Sequence, residues 1–222
     1  MNDHSGHRKR VRDKFLKGGL DSFADHEVLE FLLFYGISRI NTNDIAHRLT
    51  ERFGSLNGVL NADIDELASV EGIGEHSATL IKLSAAIAGR YIMGQSCPKG
   101  GFSKLSCIGD YLIGRFLGES EEKLYLLLLD SNGKLIGEHC ILEGSVNSVG
   151  APVNLIINKA LKSNSVNVVL AHNHPSGSVR PSDLDRDITA RLRYHLEQSG
   201  IKLIEHFVVA GNVYCPIINS EI

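Results

Sequence analysis

The segment 168–177 constrains the fold more than any other, because it predicts a buried strand that ends in an abrupt turn. Its first residues, Val168 to Ala171, form an apolar run with a β-branched start, which is typical of a buried strand. Alternate side chains of a strand point to the same side, so His172 and His174 should present two imidazoles together. The proline and glycine that follow end the strand and predict the turn.

A helix is predicted directly after this turn. Pro181 is well placed to open it, and Ser182 and Asp185 share one face because they are three residues apart. Two histidine nitrogens and one carboxylate then converge, which is the ligand set of a catalytic zinc site with one position left for water. His172, His174 and Asp185 are therefore the candidate metal ligands.

A simpler interpretation of the same residues needs no metal. Ser182 and Asp185 can form a capping box for the helix that follows them, without facing a ligand. His172 and His174 can be a hydrogen-bonded pair at the end of a strand. Both interpretations stay open, although the two patterns together favour the metal site.

The spacing His-x-His-Pro-x6-Ser-x2-Asp resembles the JAMM motif of JAB/MPN metalloprotease domains. The letters His-Asn-His-Pro-Ser-Gly, followed by Pro-Ser-x-x-Asp, are more particular and resemble the RadC family, historically described as DNA repair proteins. The resemblance implies a JAB/MPN domain with a cytidine-deaminase-like mixed sheet. It also implies Zn2+ on His172, His174 and Asp185, an oxyanion-stabilising role for Ser182, and a peptide or protein substrate.

The same resemblance implies a glutamate from another strand, which acts as general base and then as general acid. Glu143, at the end of a predicted strand upstream of the histidines, is the residue expected in this role. Glu138 is the weaker alternative, because it is nearer the exposed turn. RadC relatives have Pro-Arg-Glu where this chain has Pro152-Val153-Asn154, and an amide takes up no proton at neutral pH. If that glutamate were the base, this chain would keep the metal site and have an impaired peptidase.

Glu205 and His206 stand where RadC relatives have Asp-His. The histidine can orient a metal ligand, and a structural role inside the domain is equally open.

The N-terminal half predicts helices only. Residues 67–78 look like a helix-hairpin-helix, with Gly72-Ile73-Gly74 as the hairpin. Its backbone N–H groups can bind a phosphate oxygen without reading sequence, and residues 1–19 add six Lys/Arg against two Asp. Non-specific DNA is therefore a candidate partner of residues 1–93. The alternative is a compact connection between packed helices, because Glu71 and Glu75 would repel phosphate.

Composition places a domain boundary near residue 100. The segment 94–101 is rich in Gly, Ser, Pro and Gln and is the predicted linker. Residues 1–93 then form an all-helical domain that contains the helix-hairpin-helix. In residues 102–222 the predicted strands alternate with helices, which indicates an α/β (α+β) sheet domain that carries the metal-binding site.

Several classes of protein are excluded by composition. The net charge of −3 argues against a generally basic nucleic-acid coat, and no apolar run approaches the roughly 18 to 20 residues of a membrane span. The four cysteines have no Cys-x-x-Cys spacing, which disfavours a cysteine-based zinc module and fits reduced thiols in the cytoplasm. A zinc nucleotide deaminase would need His-x-Glu with Pro-Cys-x-x-Cys, which the chain lacks.

The leading hypothesis is a cytoplasmic, zinc-dependent hydrolase of amide or isopeptide bonds. The rival hypothesis is a binding protein in DNA metabolism with a structural or inactive zinc site, and a third is a scaffold without a ligand. The sequence names neither the substrate nor the oligomeric state.

Overall fold

A computed structural model describes residues 4–38, 40–97, 101–144 and 153–218. Within these ranges the chain forms nine helices and five strands. They divide between two compact units, which lie within Met1–Ile87 and Ala88–Ile222. Among the helices of these ranges, none is long and apolar enough to cross a membrane.

The first unit is helical, as predicted. Its elements are α1 (His4–Gly18), α2 (Asp25–Leu33), α3 (Thr42–Phe53), α4 (Leu56–Asn61), α5 (Ile64–Ala68) and the first part of α6 (Glu75–Ser96). The large side chains of its core are completely buried (Leu29, Leu33, Ile45, Leu49, Leu67, Ile81). The sequence did not predict α4, a short helix that begins where the Ser55 hydroxyl accepts the backbone N–H of Gly58.

The connection between α5 and α6 contains the predicted hairpin. Gly72 has a φ of +92°, and a Cβ at this position would lie 2.8 Å from Ile45 Cδ1, so both backbone and packing require glycine. Arg48 donates to the carbonyl of Glu71 through Nε and Nη2, at 3.2 and 3.0 Å. Lys82 donates to the carbonyl of Ala62 at 2.9 Å. These cations therefore hold the helices together, and DNA binding through residues 1–93 stays a prediction.

The second unit contains the mixed sheet that the sequence predicted. Its helices are α7 (Leu105–Phe116), α8 (Val153–Lys162) and α9 (Asp183–Gln198), together with the last part of α6. Its strands are β1 (Lys123–Leu129), β2 (Leu135–Glu143), β3 (Asn167–Asn173), β4 (Lys202–Ala210) and β5 (Val213–Pro216). The strand order is β2-β1-β3-β4-β5. Among the pairs of these five described strands, β3–β4 alone is parallel, with α9 as its crossover.

Helix α6 extends to Ser96, so residues 94–96 of the predicted linker are helical. The first proline of that segment stands at position 98, which is outside the described residues, and Gly94 is tolerated inside the helix. Met93 and Cys97, on either side of residues 94–96, both pack against a core cluster of the second unit.

Helices cover both faces of the sheet. One face packs against α7 through Tyr125, Leu127 and Val169. The other face carries Val168 and Leu170, which pack with residues of α8 and α9. Because side chains alternate along a strand, His172 follows Val168 and Leu170 onto the face that meets α9. This alternation brings the first histidine toward the helix that carries Asp185.

Candidate metal centre

The two histidines leave the end of β3 on the same side. The strand ends at Asn173, and the backbone N–H of His174 donates to the carbonyl of Val209 at 2.8 Å, which extends the pairing by one residue. The Nε2 atoms of His172 and His174 are 3.0 Å apart. His172 is almost completely buried, whereas His174 is partly exposed. The pair therefore has one ring inside the domain and one at its surface.

Asp185 reaches this pair from the first turn of α9. Its Oδ1 is 3.4 Å from His172 Nε2, and its Oδ2 is 4.0 Å from His174 Nε2. Burial alone would raise the pKa of Asp185, but the neighbouring His172 and the hydrogen bonds from Ser182 outweigh it and hold the pKa below its ordinary value. The carboxylate is therefore ionised at neutral pH.

Ser182 is the N-cap of α9, so the capping interpretation also describes the structure. The Ser182 hydroxyl accepts the backbone N–H of Asp185 at 3.1 Å, and the backbone N–H of Ser182 donates to Asp185 Oδ2 at 2.7 Å. The same hydroxyl donates its hydrogen to Oδ2 at 2.6 Å. The two interpretations are compatible, because Oδ2 completes the cap while Oδ1 is nearest to His172.

The separations among the donor atoms suit one cation. Nitrogen and oxygen ligands lie about 2.0 to 2.1 Å from zinc, so two ligands of a tetrahedral site are about 3.3 Å apart. The observed separations of 3.0, 3.4 and 4.0 Å lie on both sides of that value. Two imidazoles and one carboxylate are also donors that zinc prefers.

The hydrogen bond at Nδ1 of His174 determines which nitrogen of the ring, Nδ1 or Nε2, carries the hydrogen. Its Nδ1 is 2.7 Å from the carbonyl oxygen of Ser178, and a carbonyl can only accept. In the neutral form of the ring, Nδ1 therefore carries the hydrogen, and Nε2 keeps a lone pair on the side of His172.

A chain of three hydrogen bonds fixes His172 in the same way. The carbonyl of Asp185 accepts the hydroxyl hydrogen of Thr189 at 2.5 Å, so Thr189 Oγ1 must accept from His206 Nδ1, which is 2.6 Å away. Burial, followed by the neighbouring His172, lowers the pKa of His206 well below its ordinary value, so this ring is neutral. His206 Nε2 then accepts from His172 Nδ1 at 2.9 Å. When both rings are in their neutral form, two nitrogen lone pairs then face each other across 3.0 Å, an arrangement that a bound cation stabilises.

Glu122 is a second carboxylate that faces the histidines. One ligand atom from each of Glu122, His172 and His174 lies within 4.8 Å of the others. Glu122 directly precedes β1, which is antiparallel to β3 with Leu124 opposite His172. Continuing this register places Glu122 opposite His174.

The backbone around Glu122 is held on both sides. The side chain of Asn173 accepts the N–H of Lys123 at 2.8 Å and donates to the carbonyl of Glu121 at 2.9 Å. The carbonyl of Glu122 itself accepts the N–H of Gly144 at 2.9 Å. Asn173 therefore connects the strand of the histidines to the segment that carries this carboxylate.

Two protein-family models match the chain. The model described as the RadC-like JAB domain matches residues 102–221, which is more than half of the sequence. The chain belongs to the RadC family. The model described as UPF0758 N-terminal matches residues 4–79, so the helical half of this RadC protein also has its counterpart in known sequences.

Relatives of this RadC protein match it along almost its whole length. A UPF0758 protein of Ruegeria pomeroyi is 33% identical over 207 residues, which cover 93% of this chain and 92% of the relative. A UPF0758 protein of Fusobacterium nucleatum subsp. nucleatum is 32% identical over 96% of this chain and 94% of the relative. A UPF0758 protein of Carboxydothermus hydrogenoformans is 32% identical over 92% of this chain and 91% of the relative. These names state no activity, so the function of the RadC chain has to be argued from its site.

The carboxylate that the structure groups with the two histidines is that of Glu122, and the expected catalytic role of Glu143 in this RadC protein stays a prediction. Glu143 is at the end of β2, its side chain is 63% exposed, and its Oε1 is 3.4 Å from Lys123 Nζ. Glu138, the weaker alternative, accepts hydrogen bonds from Tyr111 and Arg115. Asn154 is exposed near the start of α8.

Sequence reasoning missed Glu122 although a signal was present. Glu121 and Glu122 form an acidic pair directly before the apolar run of β1. Recognising it would have required knowing that β1 pairs antiparallel with the histidine strand, and in which register. Sequence periodicity predicts a strand but does not give its partner.

Proposed function

We propose that this RadC protein is a zinc-dependent hydrolase of amide bonds, with a peptide or protein as substrate. The observation that supports the proposal is the set of separations among His172 Nε2, His174 Nε2 and the Asp185 carboxylate, which are 3.0, 3.4 and 4.0 Å. These three side chains would hold the ion. When bound, zinc acts as a Lewis acid that makes water more acidic and polarises a substrate carbonyl.

Glu122 is proposed as the general base in place of Glu143. Its carboxylate faces the two histidines and is placed to take a proton from an attacking water. The same carboxyl group then gives that proton to the amine that leaves when the amide bond breaks. The hydrogen bonds of Asn173 to both neighbours of Glu122 support this role, because they fix the backbone from which the carboxylate projects.

Ser182 is proposed to hold Asp185 in the orientation that the metal requires. Its hydroxyl has a single hydrogen, and that hydrogen is donated to Asp185 Oδ2. The expected stabilisation of an oxyanion by Ser182 requires the hydroxyl to turn from Asp185 to the substrate. That role stays a prediction.

Zinc content and hydrolysis test the proposal in two steps. Elemental analysis of the purified protein should find about one zinc per chain, and D185N should lower it because an amide is a poorer ligand than a carboxylate. Hydrolysis is then followed by mass spectrometry on a library of synthetic peptides that includes lysine-linked isopeptides. Wild-type protein with no zinc after incubation with the ion, and no cleavage, would overturn the proposal.

The two glutamates are separated by a matched pair of variants. E122Q should keep its zinc and lose at least about 100-fold in hydrolysis, as expected for the loss of a general base. The same substitution at the exposed Glu143 should leave hydrolysis close to that of the wild type. The reverse pattern would return the role of the base to Glu143.

A further inference from the structure

We propose that His206 and Thr189 act as positioning residues, by selecting the tautomer of His172 that can bind a metal through Nε2. The inference rests on the metal site of the proposed function and extends it to two side chains that would not touch the ion. The sequence offered an orienting role for His206 as one of two interpretations, whereas Thr189 did not stand out in it.

The hydrogen bond from Thr189 to the Asp185 carbonyl sets the direction of the hydrogen bonds that follow it. Thr189 follows Asp185 by four residues in α9, so its hydroxyl reaches the Asp185 carbonyl one turn back, at 2.5 Å. Thr189 Oγ1 then has only lone pairs to offer His206 Nδ1, at 2.6 Å. His206 Nε2 in turn accepts from His172 Nδ1, at 2.9 Å. In the neutral form of His172 the hydrogen is therefore on Nδ1, and Nε2 faces His174 and Asp185 with a lone pair.

Because they are buried, the hydrogen bonds that join Thr189, His206 and His172 can determine the tautomer of His172. His172, Thr189 and His206 are at most 3% exposed, so water does not compete for their hydrogen bonds. A neutral imidazole carries its hydrogen on either nitrogen, and the surrounding hydrogen bonds decide which. If the hydrogen moved to His172 Nε2, the nitrogen that faces the site would be a donor and could not bind a cation.

One turn of α9 carries both the ligand Asp185 and Thr189, the residue that acts on the tautomer of the ligand His172. The side chain of Asp185 faces the two histidines, and its carbonyl is the last acceptor of the chain. Hydrogen bonds to the far nitrogen of a metal-binding histidine typically change metal affinity by about 10- to 100-fold. We therefore expect Thr189 to influence zinc binding without contacting the ion.

The test compares T189V with T189S. The first keeps the shape of the side chain but removes the hydroxyl acceptor, so the hydrogen of His206 is better placed on Nε2, where His172 Nδ1 can accept it. His172 must then carry its own hydrogen on Nε2. Long-range 1H–15N spectra of the metal-free protein at alkaline pH report this directly. His172 Nε2 should change from a lone-pair nitrogen in the wild type to a hydrogen-bearing nitrogen in T189V, and T189S should resemble the wild type.

Zinc affinity, measured by competition with a chromophoric chelator, is the second readout. We expect a loss of about 10- to 100-fold in T189V and a value close to wild type in T189S. H206Q gives an independent check, because its amide oxygen can accept from His172 Nδ1 whereas the side chain in H206L cannot. Affinity should be recovered in H206Q relative to H206L.

The outcomes separate this inference from the proposed function. Wild-type affinity and an unchanged His172 spectrum in T189V would overturn the inference while leaving the zinc hydrolase intact. If the His172 spectrum changes in T189V but the wild-type protein binds no zinc, the proposed function is overturned and the tautomer selection is kept. Thermal unfolding of the metal-free variants identifies any loss of affinity that follows from misfolding.

Discussion

Asn173 holds Lys123 across the β1–β3 pair, with the carboxamide oxygen of Asn173 accepting the backbone N–H of Lys123 at 2.8 Å. The amide nitrogen of the same side chain donates to the carbonyl of Glu121 at 2.9 Å. Glu122 lies between these two contacts. The residue between the two histidines therefore fixes the segment that carries the proposed base.

Replacing Asn173 should cost both stability and hydrolysis. N173A removes two hydrogen bonds from a side chain that is only 5% exposed, so the free energy of unfolding should fall by about 1 to 3 kcal/mol. Hydrolysis should fall as well, because the backbone beside Glu122 loses its support, while zinc content is kept. Urea unfolding and the peptide-cleavage assay measure the two effects.

Asn167 provides the control for this prediction. It lies at the other end of β3 and donates to the carbonyl of Asp130 at 3.0 Å. N167A should lower stability by up to about 1.5 kcal/mol without changing hydrolysis per folded molecule. Equal losses of hydrolysis in both variants would refute a special role for Asn173.

Sequence reasoning succeeded where one local pattern decides the structure. The apolar run before His172 predicts β3, and Pro181-Ser182 predict the start of α9, because strand alternation and helix capping depend on neighbours in the chain. The mixed sheet follows from the alternation of strands and helices. These local features were enough to single out the two histidines.

The partner of those histidines was harder to predict because it depends on strand pairing. Glu143 and Glu122 both stand at strand ends, and only the register of β1 against β3 brings one of them to His174. The hydrogen-bond chain through His206 and Thr189 depends on the packing of α9 over β4. Such contacts between distant segments leave no periodic signal in a single sequence.

Zinc should stabilise the sheet unit through linkage. An ion that binds only the folded state adds about 2.7 kcal/mol to the free energy of unfolding when its concentration is 100 times its dissociation constant. Titrating zinc into the metal-free protein should therefore raise the unfolding temperature with the logarithm of concentration. D185N should show a weaker dependence, because its amide retains the shape but not the charge of the ligand. An identical dependence in both proteins would argue that zinc binds elsewhere.

The crossing of α6 and α7 should tolerate no side chain at Gly89. A Cβ at this position would lie 2.4 Å from the carbonyl oxygen of Gly114, so G89A should force the helices apart and cost about 1 to 3 kcal/mol. Gly94 is in the same helix, and a Cβ there would have nothing within 4 Å. G94A should therefore stabilise the protein by about 0.5 to 1 kcal/mol, because alanine is the better helix former. Chemical unfolding of the two variants should therefore show changes in the free energy of unfolding of opposite sign, a decrease for G89A and an increase for G94A.

Two buried tyrosines should make the protein less stable at alkaline pH. Burial, together with a hydrogen bond to Glu138, raises the pKa of Tyr111 above its ordinary value, and burial raises the pKa of Tyr125 to about 12. In the unfolded chain both phenols ionise near pH 10.0. Above that pH the unfolded state has released protons that the folded state retains, so stability must fall as pH rises toward the folded pKa values.

Y111F isolates one of these contributions. Each tyrosine in this range lowers the free energy of unfolding by about 1.4 kcal/mol per pH unit, so the variant should show a shallower decline than the wild type above about pH 10. At neutral pH the variant should have a free energy of unfolding about 1 to 2 kcal/mol below that of the wild type, because it lacks the hydrogen bond to Glu138. Tyr194 is 61% exposed, and Y194F controls for the loss of a surface phenol. Parallel curves for Y111F and wild type would mean that the Tyr111 phenol ionises equally easily in the folded and unfolded states, against the burial and the Glu138 contact on which the prediction rests.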